Sequence, residues 1–337
     1  MRIPSIFVLL LAAGVLQAAD WKPAKAIVNT RSSEPQELFI LTITRDKMRA
    51  SQNPEMGYID LNFRDVREIE WIELDQNIDY ARGLGDLNSG RYDRAIERFQ
   101  DVLDVHKQIL FVRAHEGMAT AYERQEQYGK AVESLRAIEQ ELPQWPWLLD
   151  ILYRIGELQI AAGDLDAAEA TFSSIAQRQA VYGESAVSMS LLGRASVLVE
   201  RGDNVGAAEL LARAFEGISA EEDPRLRGRI GVLLAEQQQA AGKTDTAKQT
   251  LQAIQYLPIE PDDLSSVHAQ LADIALEAGE LETAFDHAVF GVLVPDASGS
   301  ATRDARAVAR KARNAIEESD TFSDEDKLAY RQAYDKL

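Results

Sequence analysis

Cysteine is absent from all 337 residues, which removes disulfides, thiolate nucleophiles, iron–sulfur clusters and cysteine-ligated zinc from consideration. Histidine is scarce. His106, His115, His268 and His287 are the whole complement, and none of the H-E-x-x-H or H-x-x-E-H spacings of metal sites occurs among them. Basic residues number 36 against 55 acidic ones, for a formal charge of −19. Such a surface repels phosphate backbones, so nucleic acid is not an expected partner. Aromatic residues make up 7%, fewer than a sugar-stacking surface would call for. No apolar run reaches the roughly 20 residues of a membrane span, so none is expected in the mature chain. Nucleophile elbows, Walker loops and S-x-x-K motifs are missing, and the glycines of GLGDLNSG (Gly83–Gly90) lack the strand-to-helix turn of a dinucleotide site. No catalytic, cofactor-binding or metal site is expected; the reading is of a non-enzyme without cofactors.

The remaining composition, 46% apolar and 27% charged, is that of a soluble folding chain. Residues 1–19 read MRIPSIFVLLLAAGVLQAA: Arg2 gives a basic start, Ile6–Val15 an apolar run, and Ala18 or Ala19 a small residue before polar sequence. This is the pattern of an export signal cleaved near Ala18 or Ala19, and a periplasmic or secreted location is expected. An uncleaved anchor is the alternative.

Residues 20–74 follow a two-residue period, with strands expected over Lys25–Thr30, Glu37–Ala50, Met56–Phe63 and Arg67–Leu74. In GYIDLNF, Ile59, Leu61 and Phe63 fall on one face, and the breaks at Ser32–Pro35, Gln52–Pro54 and Arg64–Asp65 carry turn residues. The closing GYIDLNFRDVREIEWIEL resembles the last strands of small Sm-like or SH3-like barrels. This segment would either seal the first helical repeat beyond it or add a second contact surface.

From Gln76 the sequence becomes rich in Ala, Leu, Glu, Gln and Arg with a 3.6-residue apolar period. A Gly followed five residues later by an Ala recurs in GRYDRA (Gly90, Ala95), GDLDAA (Gly163, Ala168), GDNVGA (Gly202, Ala207), GKTDTA (Gly242, Ala247) and GELETA (Gly279, Ala284). EQYGKA keeps Ala131 but has Glu126 at the Gly place, and the alanines are 36, 37, 39, 40 and 37 residues apart. Each unit therefore reads as two antiparallel helices: Gly ends the first by accepting positive φ, Asp or Thr starts the second, and Ala marks their close approach. A pair cannot bury its apolar face alone, so pairs must stack. The acid clusters Glu221–Asp223 and Asp262–Asp263 are expected at helix N-termini.

With Gly83, Tyr92, Ala95 and Phe99 in the first unit, Tyr122, Tyr128, Ala131 and Pro143 in the second, and Gly156, Ala168 and Phe172 in the third, the chain resembles the tetratricopeptide repeat (TPR) family. The spacing exceeds that family's roughly 34 residues, so longer loops or helices are implied; a general α-solenoid is the alternative fold. The expected architecture is mainly α: a signal peptide (1–19), a small antiparallel β segment (20–74), a TPR-like array of about six helix pairs (75–296) and capping helices (297–337). The capping helix should bury Ala301, Ala305, Val308, Ala312 and Ala315, with its arginines solvated.

The resemblance implies a concave surface formed by the first helix of each pair. Counting back from each alanine places Tyr80, Arg113, Glu116, Thr120, Arg124, Tyr153, Arg154, Glu157, Arg229, Glu236, Gln239, Gln270 and Asp273 on it. Tyrosine and arginine suit a protein or peptide partner. The family's carboxylate-clamp places hold Tyr80, Glu116, Tyr153 and Leu192, so recognition of a C-terminal carboxylate is not implied. Trp145 and Trp147, flanking Pro146, are expected to staple an inter-repeat turn to the core. The functional expectation is an exported non-catalytic scaffold or adaptor for envelope proteins; the alternative is an accessory subunit of an envelope secretion, energy-transduction or polysaccharide machine.

Overall fold

The structure, a computed structural model, describes residues 21–31 and 34–337; the expected export signal (1–19) and the expected break at Ser32 and Ser33 lie outside the described residues. The chain divides into two compact units, one ending at Ile151 and one running Leu152–Leu337.

The first unit opens with β1 (Ala24–Thr30), β2 (Gln36–Ile43), β3 (Lys47–Ser51), β4 (Ile59–Asn62) and β5 (Val66–Glu70), which form one antiparallel sheet in the order β4-β3-β2-β1-β5. Alternate residues Ala24, Ala26 and Val28, then Leu38 and Ile40, supply its core, with Met48 and Ala50 beside them. Three sequence expectations need correction. The Glu37–Ala50 run is two strands, because Thr44 turns the chain: its amide donates to the Lys47 carbonyl (2.8 Å) and its hydroxyl accepts from the Lys47 amide (3.2 Å). Met56 belongs to a 3-10 turn capped by Asn53, and Ile59 is 63% exposed because edge strand β4 leaves that side uncovered. The last strand stops at Glu70, and α1 (Ile72–Gln76) comes next.

Beyond the sheet the helices come in pairs: α2 (Ile78–Asn88) with α3 (Tyr92–Leu103), α4 (Gln108–Arg124) with α5 (Tyr128–Glu141), and α6 (Leu148–Ala161) with α7 (Leu165–Ala176). After the one-turn α8 (Gln179–Tyr182) come α9 (Glu184–Glu200) with α10 (Asn204–Gly217), α11 (Pro224–Ala240) with α12 (Thr244–Ile254), and α13 (Pro261–Glu277) with α14 (Leu281–Val292). The extra turn α8 accounts for the longer spacing between Ala168 and Ala207. All six repeat alanines are fully buried. The turn glycines adopt left-handed φ, as at Gly163 (+78°), and Glu126 is forced into the same region at +59°. Asp164 and Asp203 cap the second helices of their pairs by accepting from the amides of Ala167 and Gly206.

Asp223 caps α11 as expected, whereas Asp262 and Asp263 lie inside the first turn of α13 and Asp262 accepts from the Ser298 amide (2.6 Å). The chain closes with α15 (Ala301–Glu318) and α16 (Asp324–Tyr334). The buried stripe of α15 is Ala305, Val308, Ala309, Ala312 and Ile316, so it is rotated from the expected one and leaves Ala301 and Ala315 half-buried. Ser323 and Asp326 form a capping box at the start of α16.

Within the first unit the sheet is fastened to the helices. The Ile43 amide donates to Oε1 of Gln108 (2.5 Å), and Nε2 of Gln108 donates back to the Ile43 carbonyl (3.1 Å). The Lys22 amide donates to the His106 carbonyl (2.7 Å), and Lys107 pairs with Glu73 (2.5 Å).

Candidate interaction surface

The residues anticipated on the groove fall into two groups, one in each unit. In the first unit, Tyr80 on α2 is half-buried with its ring 5.9 Å from Phe99. Burial raises its phenol pKa, with the Arg113 charge opposing and the Glu116 charge adding, so α4 brings these two charges to the Tyr80 hydroxyl. Arg113 and Glu116 bond to each other at 2.8 Å, one helical turn apart. Thr120 lies farther along the same face, its hydroxyl bonded to the Glu116 carbonyl (2.9 Å). Arg124 stands exposed in the last turn of α4, apart from this group.

In the second unit, Tyr153 is only 5% exposed. Its ring packs 5.2 Å from Phe172, and the Arg229 guanidinium covers it at 4.8 Å. The tyrosine expected as open contact area is thus a floor, and the atoms offered to solvent above it are those of Arg229 and Glu157, joined at 2.8 Å between α11 and α6. Asp263 on α13 faces the same guanidinium. Burial lifts its carboxyl to about 6; Arg229 opposes that shift, and the charges of Glu260 and Asp262 add to it. Arg154 is half-buried on α6.

Farther along, Gln239 donates to Gln270 (3.0 Å), which reaches back to the Glu236 carboxylate (3.5 Å). Burial and then the Asp304 charge raise the pKa of Glu236. Asp273 pairs with Lys311 on α15 (3.5 Å). These bonds link the first helices α11 and α13 through amide and carboxylate groups. Charge-assisted and amide hydrogen bonds of this kind can be exchanged for those of a polypeptide backbone or its polar side chains.

The four histidines show no ligand spacing in sequence, and two of them meet in the fold. The antiparallel packing of α13 on α14 joins the imidazoles of His268 and His287, Nδ1 to Nδ1 at 3.1 Å, with Phe290 stacked on His268. Their pKa values are lowered by burial, and that of His268 further by His287. Among the described residues no group of three or more His, Asp or Glu side chains is arranged to hold a metal ion, and no helix is long and apolar enough to cross a membrane. Trp145 is a staple at 3% exposure, but Trp147 is 44% exposed.

Comparison with known proteins identifies two stretches of the helical array. Residues 80–146 and 153–224 match the tetratricopeptide repeat family model, so TPR repeats occupy these two stretches, and the fold is a mainly helical, TPR-like α-solenoid preceded by a small antiparallel sheet. No curated protein matches the chain. Among solved structures, it is similar to BtubC (BKLC) from P. vanneervenii, with 16% identity and a TM-score of 0.46 over 72% of this chain and 96% of that one. A tetratricopeptide repeat protein from Parabacteroides merdae is 16% identical, with a TM-score of 0.46 over 70% of this chain and 85% of that one. NprR in complex with its cognate peptide NprX is 14% identical, with a TM-score of 0.45 over 77% and 82% of the two chains.

Proposed function

We propose that the protein is an exported, non-catalytic scaffold or adaptor that binds an envelope protein or peptide on the first-helix face of its repeats. The observation that carries this reading is the polar layer of the second unit, where Arg229 bonds Glu157 across 72 residues of sequence above a buried tyrosine. A guanidinium held over a ring by a carboxylate is already positioned for a partner, and pre-positioned long side chains lose less entropy on binding. The first-unit residues Tyr80, Arg113, Glu116 and Arg124, and Arg154 and Glu236 in the second, belong to the same proposal. The layout proposed is a signal at 1–19, a β module at 20–74, the array at 75–296 and caps at 297–337. The sheet order, with a 3-10 turn between β4 and β5, supports an SH3-like reading of the module. The composition of residues 1–19 supports export and a periplasmic or secreted location.

The test is affinity capture after cross-linking in cells, comparing the parent with an Arg154→Glu/Arg229→Gln variant of unchanged thermal stability. Capture of one envelope protein by the parent and its loss in the variant is the expected outcome. Equal capture by both chains rejects the groove.

A further inference from the structure

In the first unit a cleft of about 560 Å³ runs between the sheet and the helices. One wall consists of the consecutive residues Val66, Arg67, Glu68 and Ile69 of β5. Side chains of a strand alternate between its two faces, so four successive residues line one cavity only when that cavity runs along the strand's edge. β5 is indeed an edge of the sheet and, among the described residues, pairs only with β1. The opposite wall is one stripe of α4, Ile109, Val112, Arg113 and Glu116, at the spacing of a single helix face. Aromatic side chains close the cleft: Phe63 and Trp71 flank the strand, Trp145 and Trp147 lie beyond the helix, and Trp147 meets Phe63 edge to face at 5.7 Å. Both edges are short and carry charge, β5 as Val66–Glu70 and β4 as Ile59–Asn62, where Asp60 is tied up by Arg49 (2.8 Å) and Lys47 (3.8 Å); what sets β5 apart is the aromatic-walled cleft along its open side.

We propose that the cleft is a second binding site, taking an extended polypeptide segment that adds to β5 as a sixth strand. An edge strand presents peptide N–H and C=O groups on its open side, and an extended backbone about 4.8 Å away is the ligand whose own donors and acceptors repeat in that register. Alternate ligand side chains then point toward the aromatic wall, so the segment it selects carries apolar or aromatic residues at every second position. The helix stripe sets the width, and Arg113 and Glu116 meet the polar side chains between them. The site uses residues of the first unit alone; Arg113 and Glu116 also belong to the groove proposed above, so Trp147 and the backbone of β5 are what distinguish the two.

A displayed library of random peptides, panned on the full-length chain, supplies the probes, and binding of the selected synthetic peptides is followed by tryptophan fluorescence. The expected result is a set of binders with apolar residues at alternate positions. Their affinity should fall about tenfold or more with Trp147→Ala, and also with Arg113→Glu on the opposite wall, both variants melting as the parent does. N-methylation of alternate peptide nitrogens separates backbone pairing from side-chain contact: methyl groups in one phase should abolish binding and those in the other phase should leave it nearly intact. Binders indifferent to the methylation phase, or unaffected by both cleft variants, overturn the proposal, as does a library that yields none.

Discussion

The ring of Phe172 fills the place where a side chain on Gly193 would be: a Cβ at Gly193 would stand 2.1 Å from Cδ1 of that ring. Gly156 approaches the same ring from α6, its Cβ position 2.3 Å from Cζ. In the first unit, Phe99 is held in the same way between Gly83 and Gly117. An aromatic wedge from a second helix is thus clamped by glycines of the first helices on either side, and this is how successive pairs come close enough to exclude water.

The clamp predicts that Gly193→Ala destabilises the fold, although alanine is the better helix former by about 1 kcal/mol. Phe172 cannot retreat, because Gly156 blocks its other side, and overpacking costs about 1–3 kcal/mol. A net loss of about 1 kcal/mol or more in urea unfolding is expected. The double variant Gly193→Ala/Phe172→Leu should be less destabilised than the sum of its two single changes, since the smaller side chain relieves the clash. Strict additivity would show that ring and glycine do not share a constraint.

The array was legible in the sequence because its signals are local: a Gly to break, an Ala to let helices touch, and a fixed interval. Phe99, Gly83, Phe172 and Gly156 could be read for the same reason, while Gly117 and Gly193 could not, since nothing local marks the glycine that meets an aromatic from the preceding pair. The groove was only partly legible. Counting along helices put Tyr153 and Arg229 on one surface, but the cation–π contact that buries the tyrosine joins residues on α6 and α11 and depends on how the pairs stack. The edge character of β5 and the cleft beside it were hidden for a related reason. A two-residue period gives a strand's faces and is silent about its neighbours, so Trp147 passed for a staple like Trp145.

Glu126 offers the reverse substitution. It occupies the turn position that glycine holds in the other five units, at φ +59°, where a side chain costs about 1–2 kcal/mol. Part of that is returned by the lower entropy of the unfolded chain, so Glu126→Gly should stabilise by about 0.5–1 kcal/mol. Thermal unfolding of the two chains measures it, and a lower melting temperature in the variant refutes the strain argument.

Gln108 is the buried link between sheet and helix, bonded in both directions to the Ile43 backbone. Gln108→Leu would orphan a buried N–H and a buried C=O, at about 1–3 kcal/mol each. Gln108→Glu keeps the acceptor but sets a carboxylate oxygen against the Ile43 carbonyl, so it too should destabilise at neutral pH and recover partly in acid, where the carboxyl can donate. Hydrogen exchange should show the opening concentrated at the β2 amides.

Two half-buried titratable groups pull the pH dependence of stability in opposite directions. Burial lowers the His115 pKa to about 4, and among the described residues its Nδ1 has no partner. The unfolded chain takes up that proton near 6.5, so the contribution of His115 is complete above that pH and is lost as the pH falls from about 6.5 to about 4. Asp263 behaves the other way. Its carboxyl is raised to about 6 from 3.8, so the folded state holds the proton more tightly and the associated stability is lost as the pH climbs from 3.8 through 6. Asp263→Asn should therefore raise stability at pH 7.5 by on the order of 1–2 kcal/mol after allowance for solvent screening, with the gain vanishing toward pH 4. His115→Leu should flatten the acid limb and leave the neutral one alone. Denaturant titrations of the three chains across this range separate the two effects; a loss of stability from Asp263→Asn at pH 7.5 that fades on acidification would mean that the Arg229 charge, and not burial, governs that carboxylate.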